Sequence, residues 1–179
     1  MHRATGNRTG LALALQESAL AALNAGDISA ARAELAELTR LSDELGDAFK
    51  MYHLQNLGLL EYLDGAREPA RAFYVRALTL TRSEDASQRA NDGRAIPYTL
   101  LGLALTTSPT EPEQATELHG VADRLLDETG ETFERLERRL RDEDHQRLTA
   151  RLGPERFYAA HAAGRARPLD DIINTILGA

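Results

Sequence analysis

The side chains with the widest chemical range are five histidines, at positions 2, 53, 119, 145 and 161. Imidazole binds zinc-class metals and moves protons near neutral pH, so their spacing is the first thing to read. No two stand at i, i+4, and no HExxH helix occurs. Asp142-Glu143-Asp144-His145 gathers metal-binding residue types in one run. Successive residues of a helix point in different directions, however, and such a run does not converge on one ion. The carboxylates form no recognisable acid–base pair and mostly alternate with Arg. Ser18, Ser29, Ser42, Ser83, Ser87 and Ser108 lack the strained turn that exposes a nucleophile. With no cysteine, thiol catalysis, disulfides and thiolate metal sites are excluded. The expectation is no catalytic residue, no cofactor and no metal: a chain that acts by binding.

Composition says what must carry that binding. The 179 residues carry a formal net charge of −7 and no basic face or arm of the kind nucleic acid requires. Between Arg135 and Arg151 the cations are interleaved with Glu134, Glu137, Asp142, Glu143 and Asp144, the pattern of a solvated helix face. No apolar run approaches the ~20 residues of a membrane span, and Gln16 and Glu17 interrupt Leu11–Leu15 too early for a signal peptide. A cytoplasmic protein without membrane or nucleic-acid partners is expected. Ala, Leu, Arg and Glu dominate, and these side chains lose little freedom in a helix.

Helices are expected at 10–25, 27–45, 47–64, 67–83, 93–107, 111–129, 132–152, 154–163 and 168–177. Gly26, Gly46, Gly65, Gly130, Gly153 and Gly164 each follow an apolar-periodic stretch, where a left-handed backbone suits glycine. Asp27 and Asp47 are placed to cap the next helix. Thr110-Glu111-Pro112-Glu113 reads as a capping box with Pro in the first turn. Pro69, Pro154 and Pro168 also suit first turns, while Pro97 starts its helix late or kinks it. Residues 1–9 are expected to be disordered and 82–92 to form a long loop.

The chain repeats itself. Leu57-Gly58, Gly65, Ala70, Tyr74 and Ala77 form the clearest unit: small residues let two antiparallel helices approach, Gly65 turns the chain, and Tyr74 and Ala77 share a face with Ala70. Ala19, Gly26, Ala31, Leu35 and Leu38 form an earlier unit. Leu101-Gly102, Ala115, His119 and Ala122 form a later one. This order resembles the tetratricopeptide signature, with a longer period. His119 then falls where a bulky core residue belongs and is expected to be packed and hydrogen-bonded. The fold expected is an all-α, tetratricopeptide-like solenoid of antiparallel helix pairs over 10–130, with 131–179 as C-terminal capping helices of the same domain.

Arg151-Leu-Gly-Pro-Glu-Arg-Phe157, Ala159-Ala-His-Ala-Ala-Gly-Arg165, Pro168-Leu-Asp-Asp171 and Leu118-His-Gly-Val-Ala-Asp-Arg-Leu125 carry a further likeness. Over most of 47–179 the chain resembles the tetratricopeptide-like C-terminal region of large actinobacterial ATP-binding regulators of the LuxR-type and antibiotic-regulatory kinds. His161 stands where that family commonly has Trp. Neither its GxxxxGK[ST] loop nor its helix-turn-helix is seen here. The resemblance implies the sensing or interaction part of such a regulator, in transcriptional regulation or signalling.

In stacked helix pairs the first helix of each pair lines a concave face. The repeat phase points Gln16, Leu20, Leu23 and Asn24 inward from the first unit. Tyr52, Gln55, Asn56, Leu59, Tyr62 and Leu63 follow from the second, and Ile96, Thr99, Leu103 and Thr106 from the third. The groove is apolar with neutral polar groups, which suits a peptide or amphipathic helix anchored by Tyr52 and Tyr62. Two alternatives stand beside this reading. The same residues pack against the chain's own C-terminal helices, or an apolar pocket between helix pairs senses a small molecule. The stripe Ile172, Ile173, Ile176, Leu177 caps the array or pairs two copies in a homodimer.

Overall fold

The computed structural model describes residues 8–42, 47–81 and 95–178. Among these the chain is all-α, with nine helices packed largely in sequential pairs. They are α1 (Arg8–Ala25), α2 (Ile28–Ser42), α3 (Asp47–Leu63), α4 (Arg67–Leu80), α5 (Ala95–Thr107), α6 (Pro112–Thr129), α7 (Arg135–Leu152), α8 (Pro154–Ala166) and α9 (Leu169–Leu177). None is long and apolar enough to cross a membrane. The expected disorder at 1–9, the loop at 82–92 and the Gly46 turn fall wholly or mainly outside the described residues.

The turns form for the reasons the sequence supplies. Gly26, Gly65 and Gly130 have φ of 77°, 86° and 69°, the left-handed backbone that closes a helix. Asp27 accepts from the Ala30 amide at 2.9 Å and caps α2. Two expectations fail. Thr110 does not cap α6; its hydroxyl donates back to the Thr107 carbonyl, and the residue ahead of α6 is Glu111, with Pro112 at the first position. Gly164 does not end a helix, because α8 continues to Ala166.

α1 packs on α2, α3 on α4 and α5 on α6, with α2–α3 and α4–α5 contacts joining the pairs. Tyr74 is the central interlock. Its ring, 3 % exposed, lies against both Gly58 of α3 and Gly102 of α5, and a Cβ on either would run into it. The expected small-and-bulky fit at Gly58 is therefore present, and one tyrosine extends it to the next helix pair. α5 is apolar on every face and is buried except at Tyr98.

The last three helices depart from simple stacking. α8 packs most extensively on α6, with α7 touching both. α9 reaches back to α4 and buries Ile172 and Ile173 in the main core. Half of the stripe expected to cap the array or pair two copies is thus covered by the chain itself.

Candidate functional site

The residues expected to line the concave groove are mostly covered. Gln55, Asn56, Leu59, Thr99 and Leu103 are buried. The Gln55 amide donates to the Ala95 carbonyl and, at 2.7 Å, to the Thr99 hydroxyl, so it joins α3 to α5. α7 lies beside this face. Leu140 and Glu137 approach Gln55, Leu59, Tyr74 and Tyr98, and Leu136 and Leu140 belong to the main core. Burial pushes the Glu137 carboxyl up. The Tyr98 hydroxyl accepts from the Glu134 amide at 2.9 Å, and its ring meets Phe133 edge-on, which fixes the start of α7. Farther along, Arg147 reaches the Tyr62 hydroxyl at 3.4 Å. Of the other expected residues, Gln16, Tyr52 and Tyr62 are partly exposed and Asn24 is exposed, its amide turned onto the Leu20 carbonyl. α7 thus lies beside Gln55 and Leu59 and, through Arg147, beside Tyr62.

Open space lies elsewhere. A cleft of about 530 Å³ runs between α2, α3 and α4. Leu54, Leu57, Phe73 and Leu80 give it apolar walls; Thr39, His53, Lys50 and Arg76 supply polar groups. Arg76 extends over the Phe73 ring, 5.8 Å from its centre. The Thr39 hydroxyl is 2.9 Å from His53 Nε2. Burial, aided by the Arg76 charge, pushes the His53 pKa down to about 4, so the imidazole is neutral at pH 7.

A polar cluster is buried among α6, α7 and α8. His119 is fully buried and bonded to Asp144 at 2.9 Å, as expected of a packed histidine. Asp144 also accepts from Ser108 at 2.9 Å and from Arg147 at 3.0 Å. One layer outward, Asp123 is held by Arg141 through two bonds of 2.7 and 2.6 Å and by His161 at 2.9 Å. Burial alone would push the Asp123 carboxyl up; the His161 and Arg141 bonds, with the Arg141 charge, outweigh it and hold the carboxyl far below its usual range. His145 lies between the layers, edge-on to His119 at 4.5 Å, to Phe157 at 5.2 Å and to His161 at 5.6 Å. Burial, with His119 and Arg141 close by, pushes its pKa down to about 3.

Two glycines bring these helices together. A Cβ on Gly120 would strike the His161 carbonyl, and one on Gly164 would strike the Glu117 carbonyl. With no side chain at either position, the α6 and α8 backbones touch, and His161 sits on Asp123. In the linear sequence His145 stands beside metal-binding residue types only in the run Asp142–His145. Asp142 and Glu143 are indeed exposed, while His145 meets Asp123 and His161, which come from other helices.

Among the described residues, these features define an all-helical domain of sequentially packed pairs, with an amphipathic cleft between α2, α3 and α4 and a buried histidine–carboxylate cluster among α6, α7 and α8. Compared with known proteins, the chain matches no family, no curated protein and no solved structure.

Proposed function

We propose that this chain is a non-catalytic helical binding module that senses a small amphipathic acid in the cleft between α2, α3 and α4. The observation that carries the reading is the make-up of that cleft. Its volume falls within the ~300–1,000 Å³ usual for ligand sites. Apolar walls of Leu54, Leu57, Phe73 and Leu80 suit a hydrocarbon or aromatic body, and Arg76 and Lys50 suit a carboxylate. The Gly58–Tyr74–Gly102 interlock supports a tetratricopeptide-like arrangement. The sequence likeness to regulator C-terminal regions supports a role in bacterial regulation. Ligand in this cleft would contact α2 together with α3 and α4, so its binding energy would favour one packing of the first helix pair on the second. A peptide laid along Gln55, Leu59 and Tyr62 would compete with α7 for that surface, which is why the sensor reading stands ahead of that one.

Thermal shift and calorimetry with medium-chain and aromatic carboxylic acids, each beside its neutral amide, test the proposal. The acids raise the melting temperature and the amides do not. Arg76→Gln with Lys50→Gln removes the difference, and Leu57→Gln weakens binding of the apolar body. If no acid shifts the melting temperature, or if the charge variant binds as well as the parent, the cleft is not the site.

A further inference from the structure

We infer that Asp123, His145 and His161 form a binding site for one divalent transition-metal ion of the zinc class, with solvent completing its coordination. The three residues come from three helices, and their potential ligand atoms all lie within 4.8 Å of one another. Two imidazole nitrogens and one carboxylate oxygen are the donor set that zinc accepts, at ~2.0–2.2 Å each. Bonds of that length put ligand atoms roughly 3.3–3.6 Å apart, so the widest pair must close by roughly 1–1.5 Å while Asp123 Oδ2 and His161 Nε2, now hydrogen-bonded at 2.9 Å, part slightly.

Two imidazole nitrogens of this cluster, His119 Nδ1 and His145 Nε2, are buried without a hydrogen-bond partner, and of the two histidines only His145 stands with the Asp123 and His161 donors. An unmet buried polar atom of this kind costs on the order of 1–3 kcal/mol. A metal taken by the imidazole would remove that cost. The opposite charge is already in place: Asp123 is compensated by the Arg141 guanidinium, which stands where a cation is wanted. Arg141 is free to yield, because its side chain is 27 % exposed and already bonds Asp142 at 2.9 Å. An ion would take over Asp123 while Arg141 turns to Asp142.

The site also has an entrance. A cleft of about 370 Å³ is lined by Asp123, Arg141, His161 and Arg165, so solvent reaches two of the three ligands from outside. That opening leaves room for a water ligand, as in zinc sites with three protein ligands. The expected competitor for the metal is thus Arg141, and the strength of binding is set by how readily it leaves.

The experiment is titration of zinc and of cobalt(II) into the metal-free full chain. Calorimetry gives affinity and stoichiometry, and the visible cobalt spectrum reports the coordination. One ion binds per chain, and a chelator reverses the accompanying rise in melting temperature. Asp123→Asn and His161→Gln each lower the affinity about tenfold or more, whereas Arg141→Gln raises it. Histidine side-chain NMR of the unaltered chain does not depend on how the variants fold: zinc moves the His145 and His161 resonances and leaves His53 in place. Absence of uptake overturns the proposal. So does movement of the His2 resonance alone, or an affinity that His161→Gln leaves unchanged.

Discussion

Placing a methyl group at Gly58 or Gly102 tests the Tyr74 interlock quantitatively, because the two sites differ in how much room they leave. At Gly58 the new Cβ would lie 2.8 Å from the Tyr74 ring; at Gly102 it would lie deeper inside the same ring. Carbon atoms pack best at ~3.5–4.0 Å, so Gly58→Ala requires a shift of roughly 0.7 Å and Gly102→Ala a larger one. Overpacking of a tight core costs about 1–3 kcal/mol and occasionally more. Both glycines are inside helices, where alanine returns about 1 kcal/mol. Gly58→Ala therefore nets out within about 1 kcal/mol, while Gly102→Ala is destabilising by about 2 kcal/mol or more. In a chain of this size the second change lowers the melting temperature by roughly 5–8 °C. The assay is urea unfolding followed by circular dichroism, repeated in a Tyr74→Leu background. Tyr74→Leu alone costs about 3 kcal/mol through lost packing. Combined with Gly102→Ala it should show a favourable coupling of about 1.5 kcal/mol, because the methyl then has somewhere to go. Gly102→Ala as stable as the parent, or effects that add within ~0.5 kcal/mol, would refute the interlock.

Gly164→Ala should be harsher than Gly102→Ala, since its methyl meets the Glu117 backbone and no side chain can swing aside; loss of helical signal and early proteolysis within α8 are the readouts. Asp144→Ala strips a buried carboxylate from His119, Ser108 and Arg147 and should cost about 2–4 kcal/mol in urea unfolding. His53 has a folded pKa of about 4 against 6.5 in the unfolded chain, so the folded state binds fewer protons there. Its contribution is complete above pH 6.5 and is lost as pH falls toward 4, up to roughly 3 kcal/mol. His53→Gln should flatten the stability–pH curve in that window by one proton, leaving the separate contribution of His145. Arg32 binds Glu61 and Asp64 at the surface, and Arg32→Ala should change stability by less than about 1 kcal/mol.

Much of the helical order was legible because its punctuation is local. Gly26, Gly65, Gly130 and Gly153 mark their boundaries through a backbone angle that only glycine adopts cheaply. Gly164 misled for a related reason: a glycine needed for close helix approach looks, in sequence, the same as one needed for a turn. Gly58 and Tyr74 were readable as a pair because they lie within one helix pair, α3 and α4, whereas the Gly102 contact reaches into the next. Of the residues that the repeat phase points inward, Gln55, Leu59 and Thr99 are buried. That α7 lies beside Gln55 and Leu59 was harder to foresee. α7 is strongly charged overall, and its inward face rests largely on Leu136, Leu140 and Leu148, a thin stripe against the alternating Arg and Glu. The histidine–carboxylate cluster left no linear motif at all. Asp123, His145 and His161 become neighbours only when α6 and α8 touch through Gly120 and Gly164.

The return of α9 to α4 changes how the molecule would bear load. In a stack where each helix pair rests only on its neighbours, a pull on the last helix peels units away one after another, each yielding at modest force. Here Ile172 and Ile173 anchor α9 in the core that also holds Tyr74 and Leu78 of α4. Tension applied at α9 would be shared with the middle of the chain from the start, and the domain should yield in one large event after little prior extension. In that respect α9 would act as a clasp on α4.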